Sequence, residues 1–492
     1  MTSEQQKNPR LIDKAMSQEQ QPEHAKELIG EYKLCPMEGS PGSYKNIQYM
    51  LVFRFQTDTI TAKAVDALRL SFNRLTELYP LVKGHRATID SKNAIIVDKV
   101  DLEAQRFFVH HETQLTVDEL LKMRYSRNLW PCKTSTLLYE CVENRERLIS
   151  AAIVCLGDGC LISLSVSHMV ADGTGVFFLL KQWASMCKQM LSSPLVIEPL
   201  PEIPVNYNRQ RFWSQLAQSP KDVHPYVDFV LQQNNDNNVS SLQHNFKVMC
   251  NTGAITLPET LSTRIIHLSA ESIAKLGNDY NNITEAGHGG IHGVQIFYAL
   301  LWQRFIAASQ AVQCNKGYEQ DGAGEMPVFL NILHNIRHMV WDAANYVGNA
   351  VSGVYVPEKP SKMLQKPLME IAGYIKSNIN QITPGAVVNI TEIAFDPNSN
   401  FVLRVLSLLN RFGAGMAISN VSKLAFSSLD FGIGTLAAVI CGTKPTEGMS
   451  FWMPHVSEDN KGGIDIYFGL QNDIYDEMKN DDLLARYAQF KN

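Results

Sequence analysis

Near-continuous apolar runs and helical repeats take turns along this chain. "SYKNIQYMLVFRF" (43–55) has the unbroken hydrophobicity of a buried strand. In the next stretch, "TAKAVDALRLSFNRLTELYP" (61–80), Val65, Leu68, Phe72, Leu75 and Leu78 recur at helical spacing, which predicts a helix with one buried face. Two short strands, "HRATID" and "AIIVDKV", follow. "RLISAAIVCL" and "CLISLSVSH" are then joined through Gly157, Asp158 and Gly159, and Asp-Gly between apolar runs predicts a hairpin. "VFFLLKQWASMCKQML" (176–191) returns to helical spacing, with Phe177, Leu180, Trp183, Ala184, Cys187 and Leu191 on one side.

The proline-rich "SSPLVIEPLPEIPVNYN" (192–208) can hold neither a helix nor a regular ladder, so it is read as a crossover between domains. Beyond it, "QQNNDNNVSS" reads as a surface loop and "GGIHGVQIFYALLWQRFIAASQAV" as a helix. "NYVGNAVSGVYV" and "GGIDIYFGL" read as strands, and "DDLLARYAQF" as a closing helix. No repeat of 20 to 50 residues is found. Strands alternating with helices predict a mixed α/β (α+β) protein in two units, residues 26–205 and 206–492, after a flexible tail at 1–25.

Composition narrows the function classes. With 45% hydrophobic and 19% charged residues, the chain can build large cores. Its formal charge of -5 and lack of a polybasic run do not support a nucleic-acid footprint. Nine cysteines without a C-x-x-C pair fit a reducing compartment. The N-terminus is polar and glutamine-rich, and no run of about 18 apolar residues occurs. The expectation is a cytoplasmic monomer without a membrane span.

The candidate chemistry lies in "SVSHMVADGTG" (165–175), where His168 directly follows a strand. A strand end fixes the backbone and leaves one ring nitrogen to face a cleft. Imidazole titrates near neutrality, with an ordinary pKa of about 6.5, so it can take a proton from a hydroxyl or amine and return it to a leaving group. The same position also suits a core histidine bonded to a neighbouring carbonyl. Asp172, entering the next helix, complements its dipole and fixes the loop, and Gly173 is expected to allow a sharp exit through positive φ.

"SHMVADG" resembles the H-x-x-x-D-G signature of the BAHD acyltransferases, of the chloramphenicol acetyltransferase and condensation-domain superfamily. Other stretches resemble the same family in the same order: "TELYPLVKGH"; "VQIFYALLWQRFIAA" with Trp302 and Arg304; "NIRHMVWDAANYVGNAV" with Arg337, Tyr346, Gly348 and Asn349; and "LDFGIG", similar to D-F-G-W-G, with Asp430, Phe431, Gly432, Ile433 and Gly434. The likeness is nearest to fungal members such as trichothecene acetyltransferases. It implies two chloramphenicol acetyltransferase-like domains, each a mixed sheet flanked by helices, with a channel between them.

It further implies acyl-CoA as co-substrate, a small-molecule acceptor, no permanently bound cofactor and no metal. His168 is then the general base, and Asp172 holds the loop by pairing with Arg337, while Gly173, Asp430, Gly432 and Gly434 are structural. Ser419 and Asn420 stand where the family carries a Thr/Ser-Ser pair that supports the oxyanion, but Val421 and Ile433 replace the family's tryptophans. Those losses leave open a non-catalytic relative that only binds a ligand or partner. A condensation-type enzyme is the third reading, although it would carry a doubled histidine where Ser167 stands. The pairs His288/His292 and His334/His338 lack the glutamate of a zinc helix, and "GHGG" lacks the lysine of a phosphate loop.

Overall fold

The computed structural model describes residues 29–38, 46–55, 62–89, 92–123, 147–192, 209–222, 261–281, 291–316, 327–341, 343–395, 415–456 and 462–491. The N-terminal tail, the crossover at 193–208 and the loop "QQNNDNNVSS" lie outside the described residues.

Three sheets form. A five-stranded sheet runs, in spatial order, β12 (Thr435–Cys441), β2 (Asn46–Arg54), β7 (Gly159–Ser167), β6 (Ile149–Leu156) and β5 (Phe107–Glu112). Its last pair is parallel and the rest antiparallel. A seven-stranded sheet runs β10 (Val351–Glu358), β9 (Val328–Asn335), β11 (Met416–Asn420), β13 (Met449–Pro454), β14 (Ile464–Gln471), β8 (Leu261–Leu268) and β15 (Gln489–Lys491). Here β11 is parallel to both of its neighbours. A small antiparallel sheet joins β1 (Gly30–Lys33), β4 (Lys92–Val97) and β3 (His85–Ile89). Mixed sheets with flanking helices make the fold the expected α/β type.

Two hydrophobic cores result. The first packs helices α1 (Ala62–Leu78) and α2 (Gly173–Ser192) on the five-stranded sheet; the second surrounds α4 (Gly293–Asn315), which follows the shorter α3 (Arg209–Leu216). Every residue of β6 and β7 is buried, as the unbroken apolar runs require. The predicted hairpin is present, with Cys155 opposite Cys160. In α1 the buried stripe is Ala64, Ala67, Leu68, Ser71, Phe72, Leu75 and Thr76, and Leu78, 44% exposed, lies off it.

The chain exchanges segments between the cores. β12, late in the sequence, is hydrogen-bonded to β2 at the edge of the first sheet. Cys35 and Met37, from the start of the described chain, lie in the second core. Two sequence expectations are corrected. Residues 345–350 are irregular, with the Tyr346 and Gly348 carbonyls accepting from the Arg337 side chain, and β10 begins only at Val351. In "DDLLARYAQF" the helix covers only Asp482–Ala485, and Gln489–Lys491 adds a strand beside β8.

Candidate active site

β7 delivers His168. The strand ends at Ser167, whose carbonyl accepts the backbone N–H of Val170 at 3.0 Å while its hydroxyl accepts that of Met169 at 3.3 Å, turning the chain sharply. His168 is partly exposed within this turn. Its Nδ1 is buried without a hydrogen-bond partner, while the residue as a whole keeps part of its surface exposed. Burial lowers the pKa of His168 below the ordinary histidine value, and the Asp172 carboxylate and the residue's own backbone carbonyl pull it back only in part. The imidazole is therefore neutral near pH 7 and able to accept a proton.

Asp172 is fully buried. Both of its oxygens accept from Arg337, Oδ2 from Nη1 and Oδ1 from Nη2, each at 2.8 Å. The N–H groups of Gly175 and Ala350 also donate to it at 2.8 Å, so the carboxylate caps α2 and ties the histidine turn to segment 346–350. Arg337 in turn donates to the carbonyls of Tyr346 at 2.8 Å and Gly348 at 2.9 Å. With four donors on its oxygens, the Asp172 carboxylate is fully engaged in holding this loop.

Gly173 is corrected in its reason. It does not adopt positive φ; among the described residues Gly432, Gly434, Gly448 and Gly462 do. A side chain at 173 has no room, since an added Cβ would lie 2.6 Å from the Tyr49 hydroxyl and 3.1 Å from Val421 Cγ1. The Tyr49 hydroxyl donates to the Gly173 carbonyl at 3.2 Å.

That contact with Val421 also sets the end of β11 beside the start of α2. Ser419 and Asn420, both partly buried, are in β11, which has Leu333 and Phe451 on either side of Ser419. Asn420 donates its amide to the Tyr298 hydroxyl at 2.6 Å, while its Oδ1 accepts from the N–H and hydroxyl of Ser422. Burial, only partly offset by that amide, pushes the Tyr298 hydroxyl up to about 12.

Asp430 is far from this site. It pairs with Lys188 at 2.6 Å in the last turns of α2, a helix of 20 residues that spans about 30 Å. Gly432 (φ 73°) and Gly434 (φ 156°) turn the chain into β12, and Phe431 packs edge-on against Trp183 and Phe53. Ile433 is one of the partly buried residues against the first core.

Two buried clusters have no signal in the sequence pattern. Arg209 pairs with Glu38, which is fully buried, below the His168 turn. In the seven-stranded sheet, Asp465 accepts from His267 Nδ1 at 2.7 Å and His455 Nδ1 at 2.9 Å; burial works against the carboxylate's charge, but the two imidazoles hold its pKa well below the usual carboxylate range. Of the histidine pairs considered for metal, His334 lies on β9 and His338 in a short 3-10 turn, and His288 falls outside the described residues.

The turn that follows β7 thus presents a partly exposed histidine, held through Asp172 and Arg337, in the order of motifs that marks the BAHD acyltransferases. The chain belongs to that family: the family model described as Transferase family matches residues 43–482. A curated acyltransferase of Emericella nidulans, easC, is 21% identical over 346 residues, covering 68% of this chain and 67% of that protein. Among solved structures, TRI101 of F. sporotrichioides, complexed with coenzyme A and T-2, superposes with a TM-score of 0.70 at 17% identity, over 94% of this chain and 99% of its own. Vinorine synthase superposes at 0.58 with 14% identity, over 93% of each chain. No helix among the described residues is long and apolar enough to cross a membrane.

Proposed function

We propose that the protein transfers an acyl group from acyl-CoA to a hydroxyl, or an amine, of a small organic acceptor, within a ternary complex and with His168 as general base. The observation that carries this reading is His168 itself: a partly exposed residue at a strand end, with an imidazole that burial keeps neutral, in a turn fixed by Asp172 and Arg337. The coenzyme A complexes of the TRI101 neighbours support acyl-CoA as co-substrate, and their T-2 and deoxynivalenol complexes support a small-molecule acceptor.

In the proposed reaction Nε2 accepts the acceptor proton as the oxygen or nitrogen bonds to the thioester carbonyl carbon. Collapse of the tetrahedral intermediate breaks the C–S bond, and the imidazolium returns the proton to the CoA sulfur. Ser419 or Asn420, at the end of β11, supplies a donor to the oxyanion; loss of one such donor typically costs about 2.7–4 kcal/mol.

The test is radiolabelled acetyl-CoA with a panel of alcohols and amines. Transfer should occur, and His168→Ala should lower kcat by about 10²- to 10⁴-fold without changing the unfolding midpoint. Because burial depresses the folded pKa, the base is unprotonated above it, so kcat/KM should rise through an apparent pKa below about 6.5 and stay flat above. Undiminished transfer by folded His168→Ala would overturn the reading. Absence of turnover with every acceptor would favour a binding protein, to which the missing tryptophans at Val421 and Ile433 point, and turnover only with a carrier-bound acyl group would favour a condensation-type enzyme.

A further inference from the structure

The turn after β7 faces a backbone problem that the Asp172–Arg337 pair does not solve. The carbonyls of His168, Met169 and Val170 leave the sheet ladder in a buried region, and each needs a donor. Asn349 Nδ2 approaches the His168 carbonyl, and also that of Met37, at 3.4 Å. The other two are met by Arg209, whose Nη1 donates to Met169 O at 3.3 Å and Nη2 to Val170 O at 3.0 Å.

Arg209 is itself held by Glu38. Its Nη1 donates to Glu38 Oε1, the Tyr346 hydroxyl donates to the same oxygen at 3.2 Å, and the Cys35 N–H donates to Oε2 at 3.3 Å. One helical turn after Arg209, Phe212 stacks flat on Tyr346, with centroids 4.4 Å apart and planes 9° apart. Tyr346 therefore links two buried ion pairs, giving its carbonyl to Arg337 and its hydroxyl to Glu38.

We infer that the Arg209–Glu38 pair is a second positioning device for His168, gripping the Met169 and Val170 carbonyls of the turn that Asp172–Arg337 does not reach. A buried ion pair is poor evidence for stability, and its best-attested use is to specify one arrangement of the chain. Here the planar guanidinium spans two successive carbonyls while keeping its charge satisfied by Glu38, a task that the point charge of a lysine cannot reproduce. The inference rests on the reading of His168 as general base.

Arg209→Lys preserves the charge opposite Glu38 and removes the fork. Since a misplacement of about 1 Å costs on the order of 10²-fold, kcat should fall by about 10- to 100-fold, with KM for acyl-CoA and for the acceptor within about twofold of wild type. Tyr346→Phe, a milder change expected to fold, should lower kcat by a smaller factor in the same sense. Introducing Arg209→Lys into the His168→Ala background should leave the residual rate unchanged, because positioning an absent imidazole has no value. An equal loss in both backgrounds, or KM effects matching those on kcat, would mean a merely structural role and overturn the inference. Folded Arg209→Lys with wild-type kcat would overturn it too, while leaving the role of His168 to stand or fall on His168→Ala alone.

Discussion

Asp172 and Asp430 each stand near a glycine, each fasten a loop and each bond to one end of α2, yet their surroundings are opposite. Asp172 has no exposed surface and carries four hydrogen bonds, two of them from a guanidinium that is itself buried. Asp430 has a side chain 51% exposed, answered by a lysine 55% exposed and by the Gly432 N–H. The same residue type thus performs two physically different tasks. In the interior, pairing decides whether the loop next to His168 has one shape. At the surface, the ion pair adds little, and the apolar Phe431 beside it does the anchoring.

The largest expected effect comes from Asp172→Asn. The amide cannot neutralise Arg337, and removing one partner of a buried pair typically costs about 3–5 kcal/mol. Urea unfolding followed by fluorescence should show a loss in that range, together with loss of transfer activity. A change below about 1 kcal/mol, the range of exposed pairs, would erase the contrast between the two aspartates.

Next in size is Gly434→Ala, which tests what holds the D-F-G-I-G loop if its aspartate does not. Gly434 has φ 156°, and an added Cβ would meet the Arg54 carbonyl at 2.1 Å, where β12 begins to pair with β2. Backbone strain of this kind costs about 1–3 kcal/mol, and a collision with backbone cannot be relieved by rotating a side chain. The unfolding midpoint should fall well beyond that of any Asp430 variant; equal midpoints would return the anchoring role to Asp430.

How much of this was legible beforehand follows the range of the interactions. Local signals were readable: the apolar runs of β6 and β7, the Gly-Asp-Gly hairpin, the face of α2, and His168 at the strand end. The motif resemblance supplied Arg337 as partner for Asp172, because an ordered set of motifs carries information that spacing alone does not. Interactions without local periodicity were invisible. The crossing of β12 into the first sheet joins residues nearly 400 positions apart, such as Gln48 and Thr443. Glu38 and Arg209 are 171 positions apart, and neither stretch carries a pattern that names the other. Gly173 was readable as a necessary glycine but not for its cause, since crowding by Tyr49 and Val421 exists only once three distant segments meet.

The smallest effect sharpens the comparison most, because it predicts near-neutrality at a motif residue. Asp430→Asn removes one charge of an exposed pair that holds the ends of two long side chains in one geometry against solvent. Such pairs contribute about 0–1 kcal/mol, and the contribution shrinks as salt shortens the Debye length from about 10 Å at 0.1 M. The Lys188 ammonium holds the Asp430 carboxyl below its usual value, against the opposing effect of burial. The folded form therefore gains from the charge above the unfolded pKa, about 3.9, and loses that gain as pH falls through the folded value. Wild type and Asp430→Asn should consequently differ by at most about 1 kcal/mol at pH 7 and low salt, converge in high salt, and converge again in acid. Transfer rates should be alike throughout, because the pair lies at the far end of α2 from His168. A large, salt-insensitive loss would show that Asp430 is buried and paired in the working enzyme as Asp172 is, and the two aspartates would then be doing the same job.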